Sequence, residues 1–355
     1  MRRMNQLARF AAQLTTPLLP RDYLTLVDPL LATTGFRARI RTIRKETAGS
    51  RTVEFEVPKG FPAHTAGQFL RLGVDIAAVR HWRSYSITSP ECSVKRRVLS
   101  ITVKETSNGL VSGHLVNEAR VGDLVFLEPA DGDFILPSAP VGNLIFLGFG
   151  SGITPIASMV RTLAALGGAS SRVLLVMGAR TEADIIFAEE FTALADSVPW
   201  LDTVLWPSAA KGRFDLDSIA DIAPNWMSAH TYVSGPAEVL DQAEQLWEGL
   251  GISDLLHTER FVTALAHTAG GGGEITFSRA GRTSTADGNT TLLAAGEDAG
   301  VLMPNGCRMG ICHTCVVPLK SGQVRDMRTG EIHGEPGDII QTCVTAAACD
   351  VELDV

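Results

Sequence analysis

The chain has 355 residues, 45% of them hydrophobic and 20% charged, with a formal net charge of -8. That length exceeds what one hydrophobic core usually serves, so two or three domains are expected. An acidic balance without any Lys/Arg-rich block argues against nucleic acid as a partner, and no run of eighteen apolar residues is present to cross a membrane as a helix.

Residues 1–33 read as an N-terminal extension. In MRRMNQLARFAAQLTTPLLP, Leu7, Phe10, Ala11 and Leu14 share one helical face, and Arg2, Arg3 and Arg9 add positive charge. This segment lacks the compact apolar run and cleavage site of a secretory signal, so a cytoplasmic location is expected. Two roles stay open for it: a short helix docked on the protein's own surface, or peripheral contact with the inner face of the cell membrane.

Residues 34–137 alternate short Val/Ile/Thr/Phe runs with Gly, Pro and Asp turns, which predicts an antiparallel β-barrel or sandwich. Over 138–265 the pattern changes. Apolar runs such as NLIFLGF, RVLLVMGA and HTYVSG alternate with helical stretches, as in an α/β domain with a parallel sheet. Residues 266–273, ending in four glycines, read as a flexible linker, and a last unit spans 274–355.

That last unit carries four cysteines at a telling spacing. Within Asn305–Cys315, NGCRMGICHTC, four residues separate Cys307 from Cys312 and two separate Cys312 from Cys315; Cys343 follows 27 residues further on. This is the spacing of a plant-type 2Fe-2S centre. Zinc sites usually take two closely spaced pairs, and disulfides are out of place in the cytoplasm. Gly306, Gly310 and Arg308 suit a loop whose N–H groups approach the sulfurs. His313 reads as a surface residue, and Cys92 and Cys349 as small buried ones.

Such a cluster moves one electron at a time, so a source of electrons is sought upstream. In LGFGSGITPIASMV, Gly148, Gly150 and Gly152 follow an apolar strand, and Pro155 stands in the first turn of the next helix. Such a turn admits a pyrophosphate to exposed N–H groups. An acidic residue at the end of the following strand would suit NADH; MGARTEAD has Arg180 there instead. In HWRSYSITSP, Arg83 offers a guanidinium to a phosphate, Tyr85 a ring for a flat cofactor, and Ser86 the opposite face of the strand. The loop SNGLVSGHL adds Gly109, Val111 and Ser112, whose N–H groups suit a diphosphate.

In these motifs and their order the chain resembles the ferredoxin–NADP reductase superfamily, in the oxygenase- or desaturase-reductase form with a plant-type ferredoxin at the C-terminus. The resemblance implies an antiparallel β-barrel flavin domain, an α/β parallel-sheet nucleotide domain and an α+β β-grasp ferredoxin domain. It implies FAD held by Arg83, Ser84, Tyr85, Ser86, Gly109, Val111 and Ser112. The nicotinamide nucleotide would be held by Gly148, Gly150, Gly152, Thr154, Pro155, Arg180, Gly235 and Pro236, and the cluster by Cys307, Cys312, Cys315 and Cys343. Ser86 and Thr154 would orient the nicotinamide on the flavin. Ser234 stands where many members have cysteine.

The implied activity is transfer of electrons from NADPH, with NADH as the alternative, through FAD and the cluster to a separate acceptor. The leader LTTPLLPRDYLTLVDPL is similar to that of actinobacterial reductases that serve stearoyl-CoA desaturases, so a membrane fatty-acyl desaturase is the expected acceptor. An alkane, steroid or aromatic-ring oxygenase is the alternative, and a non-catalytic ferredoxin-type electron carrier a further one.

Overall fold

The computed structural model describes residues 28–31, 35–107, 109–137, 142–169, 172–261, 271–306, 308, 310 and 313–355. Cys307, Cys312 and nearly all of the N-terminal extension lie outside them. Where the extension is described, Leu30 is buried and Asp28 Oδ1 accepts from Arg39 Nη2 at 3.2 Å, so its end packs on the first sheet. The described residues fall into two compact units, taken here in turn by their sheets; Trp82–Ser84 and Ala237–Asp241 cluster with the second unit, although the strand and helix that hold them are given with the first.

The first unit begins with β1 (Phe36–Thr47) and β2 (Ser50–Glu56), a hairpin that turns over Ala48 and Gly49. Four more strands join them: β3 (Phe69–Ile76), β4 (Val79–Ser86), β5 (Val98–Lys104) and β6 (Leu124–Leu127). The sheet order is β4-β3-β6-β1-β2-β5. Ala77 and Ala78, both at positive φ, make the tight turn from β3 to β4. The sheet's edges meet at a single bridge, Ile87 with Ile101, and Ile40, Phe55, Leu70, Leu72, Ile87 and Leu99 fill the space between. Helix α1 (Leu110–Asn117) follows β5.

The same unit continues into a five-stranded parallel sheet of β7 (Leu144–Phe149), β8 (Val173–Ala179), β9 (Leu201–Pro207), β10 (His230–Ser234) and β11 (Leu256–Glu259), in the order β11-β10-β7-β8-β9. Helices α2 (Ile153–Ala165), α3 (Ala188–Ser197) and α4 (Ala237–Gly249) lie in the connections. Fully buried strands read as continuous apolar runs, which is why LIFLGF and VLLVMGA were recognisable. The chain builds outward from β7 through β8 to β9, then returns to place β10 on the other side of β7. Ligands of open α/β sheets bind at such a switch, beyond the carboxyl ends of the strands.

The second unit holds a mixed sheet, β13-β12-β19-β14-β17, and a small one, β16-β15-β18. The strands are β12 (Gly272–Phe277), β13 (Arg282–Asp287), β14 (Val316–Ser321), β15 (Val324–Asp326), β16 (Ile332–His333), β17 (Ile339–Gln341), β18 (Thr345–Ala347) and β19 (Val351–Leu353). Helix α5 (Leu292–Asp298) is capped by Thr291, whose hydroxyl accepts from Ala294 N. Two expectations change here. Gly272 and Gly273, read as linker, belong to β12 and pair with Asp287 and Ala286. A Cβ on Gly273 would lie 2.7 Å from Asp350 N, so glycine there serves close backbone approach. Cys349 is exposed rather than buried, its sulfur accepting from Gln323 N.

Candidate functional site

At the switch point two glycine turns interlock. After β7 the chain makes a single 3-10 turn, Gly150–Gly152, and enters α2 with Pro155 in the first helical turn. Gly150 is at φ +61. A Cβ on Gly152 would strike the Ser234 carbonyl and come within 2.7 Å of Gly235 N, while one on Gly235 would meet Phe149 Cβ at 2.8 Å. The turns after β7 and β10 are therefore in backbone contact, bringing Gly148, Gly150, Gly152, Thr154 and Pro155 together with Gly235 and Pro236. Thr154 is buried and donates to Ser151 O at 2.8 Å, which fixes the turn. Arg180 lies exposed just past the end of β8.

A residue missed from the sequence lies beside them. Glu259 ends β11 in register with Ser234. Its Oε2 is enclosed without a partner, as is the Ser234 hydroxyl, and burial pushes the Glu259 carboxyl up to about 8. The signal available was an acidic residue closing the last strand of the parallel sheet. Two orphaned polar groups at the carboxyl edge of a nucleotide sheet suit a ligand that carries hydrogen-bonding groups of its own.

On the antiparallel sheet, Arg83, Ser84 and Tyr85 are half-buried and Ser86 is buried. Tyr85 packs against the sheet's core. The Ser84 hydroxyl is enclosed without a partner, and Arg83 Nη1 donates to Trp82 O at 2.7 Å. Gly109 is the N-cap of α1, and no side chain caps the helix's first N–H groups. The hydroxyl of Ser112 accepts from Thr106 N at 3.2 Å and lies 2.9 Å from Thr106 Oγ1. Ser112 thus braces the loop from within, and Val111 is buried beneath it.

In the second unit Cys315 and Cys343 bring their sulfurs 3.2 Å apart in an apolar core, without a disulfide. The contact with Cys343 pulls the Cys315 thiol down to about 6. The preceding loop turns sharply through positive φ at Arg308, Gly310 and His313. Gly310 O is held by Gln341 Nε2 at 3.0 Å, and Cys315 O by Thr342 Oγ1 at 2.8 Å. The Arg308 guanidinium makes a paired contact with Glu297. His313 is exposed. Two buried sulfurs at this separation fit an iron–sulfur cluster as part of a donor set.

Known proteins place these parts in a class. Residues 38–135 match the oxidoreductase FAD-binding domain family, 146–245 the oxidoreductase NAD-binding domain, and 275–348 the 2Fe-2S iron-sulfur cluster binding domain. An "NADPH oxidoreductase" of Mycobacterium tuberculosis is 43% identical over 98% of this chain and 92% of its own length. The ferredoxin reductase component of a Rhodococcus rhodochrous 3-ketosteroid-9-alpha-monooxygenase is 29% identical, covering 82% of this chain and 88% of that one. Among solved structures, phthalate dioxygenase reductase superposes with a TM-score of 0.65 at 26% identity, covering 90% of this chain and 98% of the other. The chain belongs to the ferredoxin–NADP reductase superfamily, as an electron-transfer oxidoreductase with FAD-, NAD(P)H- and 2Fe-2S-binding domains.

Two outcomes test this geometry. Gly152→Ala should destabilise the first unit by about 1–3 kcal/mol through overpacking against backbone, and weaken nicotinamide nucleotide binding; Gly49→Ala, facing open space without a positive φ, should leave both intact. Isothermal titration and thermal unfolding read both. Glu259 has its carboxyl raised from 4.5 to about 8 in the fold. Its stabilising contribution is therefore fully present below pH 4.5 and lost as pH rises through 8. Glu259→Gln should match the wild type near pH 4.5 and be the more stable of the two at pH 9, measured by chemical denaturation.

Proposed function

We propose that the chain is an NADPH-dependent reductase component that feeds electrons singly to a separate terminal oxygenase acting on a steroid or aromatic ring. The observation that carries the reading is the joining, in one chain, of the interlocked turns at Gly152 and Gly235 with the paired sulfurs of Cys315 and Cys343. A flavin accepts two electrons as hydride and releases them singly, and a 2Fe-2S cluster carries one at a time.

The residues divide the work. The N–H groups opening α1 at Gly109, together with Arg83, neutralise the flavin's phosphates; Tyr85 covers a flat ring, and the unsatisfied Ser84 hydroxyl is available to it. Thr154 and Ser86 orient the nicotinamide against the flavin. The neutral carboxyl of Glu259 and the Ser234 hydroxyl offer hydrogen bonds at the same edge. Arg180 and Lys211, with no acidic residue at the end of β8, favour the 2′-phosphate of NADPH. Cys307, Cys312, Cys315 and Cys343 hold the cluster.

For the acceptor, support comes from the relatives named as reductase components of oxygenases. A membrane acyl desaturase is the second reading. It is favoured by the N-terminal extension, most of which falls within the alignment to the 43% identical relative, since that alignment covers 98% of this chain. On that reading the extension also gives peripheral contact with the membrane. Residues 274–355 hold eleven acidic and six basic residues, so either acceptor should present a basic patch.

Purified reductase mixed in turn with a steroid- or ring-hydroxylating oxygenase and an acyl desaturase, with NADPH oxidation followed against product, tests this. Coupled turnover with the oxygenase, preferring NADPH and slowing as salt rises, is expected. Turnover with the desaturase alone would favour the second reading. Transfer that stays flat across ionic strength, or an NADH preference of about tenfold, would count against the acidic docking face or the nucleotide assignment respectively.

A further inference from the structure

One face of α2 grips the segment that follows the flavin strand. Ser158, Arg161 and Thr162 lie at i, i+3 and i+4 on that helix and so share a face. Ser158, fully buried, donates from Oγ to Ser89 O at 2.8 Å. Arg161 Nη1 donates to Thr88 O at 2.6 Å, and Thr162 Oγ1 accepts from Glu91 N at 3.2 Å. Three hydrogen bonds from little more than one helical turn thus join the parallel-sheet half of the first unit to the antiparallel-sheet half.

Both ends of this junction are stiff. On the antiparallel side, Thr88 N donates to Ser100 O at 2.8 Å, and His64 Nε2 lies 3.2 Å from Ser89 O. On the helix side, the Arg161 guanidinium is gripped by both carboxylate oxygens of Glu190 at 2.7 Å and lies 4.4 Å over the Phe187 ring. Ser86 stands two residues before Thr88, and Thr154 stands one helical turn before Ser158. Next to this row the two halves part, leaving a cleft of about 1240 Å³ with Arg44, Glu46, Arg96 and Glu189 on its walls. Away from the cleft the halves also pack, with Ala66, Phe134 and Leu136 in one buried cluster with Ile156 and Met159 of α2, and the hydrogen-bonded row adds the directional contacts that apolar packing lacks.

We infer that Ser158, Arg161 and Thr162 form a positioning clamp that sets the register of Thr154 against Ser86, and so of nicotinamide against flavin. This rests on the flavin and nicotinamide roles proposed above. Hydride transfer depends steeply on the separation of donor and acceptor, and a misplacement on the ångström scale costs rate without costing affinity. On this reading the three residues act through the segments they hold.

The test uses Ser158→Ala/Arg161→Leu in the full chain, with Glu189→Gln as a control that lines the same cleft outside the row. In flavin-free protein, hydrogen exchange at the Glu91 amide should quicken by about tenfold in the double variant and not in the control. In FAD-loaded protein mixed rapidly with saturating NADPH, flavin reduction should slow by about tenfold or more. NADPH Kd should stay within about twofold, and the EPR signal of the reduced cluster should be unchanged. Unchanged exchange at Glu91 would overturn the clamp, and quickened exchange with an undiminished rate of flavin reduction would overturn its positioning role. If the double variant does not retain FAD, Ser158→Ala alone, which removes one hydroxyl, is judged by the same readings. Failure of the wild type to be reduced by NADPH would instead refute the functional reading, while the exchange measurement would still judge the clamp.

Discussion

Gly152 lies against the carbonyl of Ser234, and the rest of the nucleotide half is arranged around that contact. No residue with a side chain fits between the two turns, so strands β7 and β10 must end at the same level. The helix that starts at Ile153 must also point its first N–H groups past that edge. The same helix, one and two turns further on, meets the segment after the flavin strand at Ser89 and Thr88. One rigid element therefore carries the nucleotide turn at its start and the junction with the antiparallel sheet in its middle. Close backbone approach at a switch point is the feature by which open α/β sheets admit a ligand beyond the carboxyl ends of their strands.

Several polar groups remain unsatisfied for the same reason. The Ser84 hydroxyl, the Ser234 hydroxyl and Glu259 Oε2 are enclosed without partners. Each such group costs about 1–3 kcal/mol when desolvated and left unpaired. Ligands that offer complementary donors and acceptors relieve that cost, so binding and folding are linked in the first unit. The second unit meets the corresponding problem with sulfur. Cys315 and Cys343 are brought to 3.2 Å inside an apolar core.

Much of this was legible in the sequence because glycine and cysteine spacings record backbone constraints directly. Gly148, Gly150 and Gly152 announced the turn, and the Cys307, Cys312, Cys315 and Cys343 spacing announced the cluster. What escaped depends on contacts between distant segments. The orphaned Glu259 carboxyl becomes conspicuous only once β11 lies in register with Ser234. Gly272 and Gly273 look like linker until β13 and the Cys349–Asp350 backbone close on them. The side-chain contacts of Ser112 with Thr106 and of Arg308 with Glu297 likewise have no signature in the sequence. The row at Ser158, Arg161 and Thr162 has no local signature, since its partners are mostly backbone atoms some seventy residues away.

The central claim is that electrons leave through the cysteine cluster, and Cys312→Ser addresses it most directly. This variant loses a thiolate ligand while leaving the FAD- and NAD(P)H-binding domains unaltered in sequence. Compared with wild type at equal FAD content, it should still reduce ferricyanide from NADPH, because that oxidant takes electrons from the flavin. It should lose most of its cytochrome c reduction and nearly all coupled turnover with the terminal acceptor. Normal coupled turnover by flavin-loaded, cluster-free protein would contradict the route from flavin through the cluster to the acceptor.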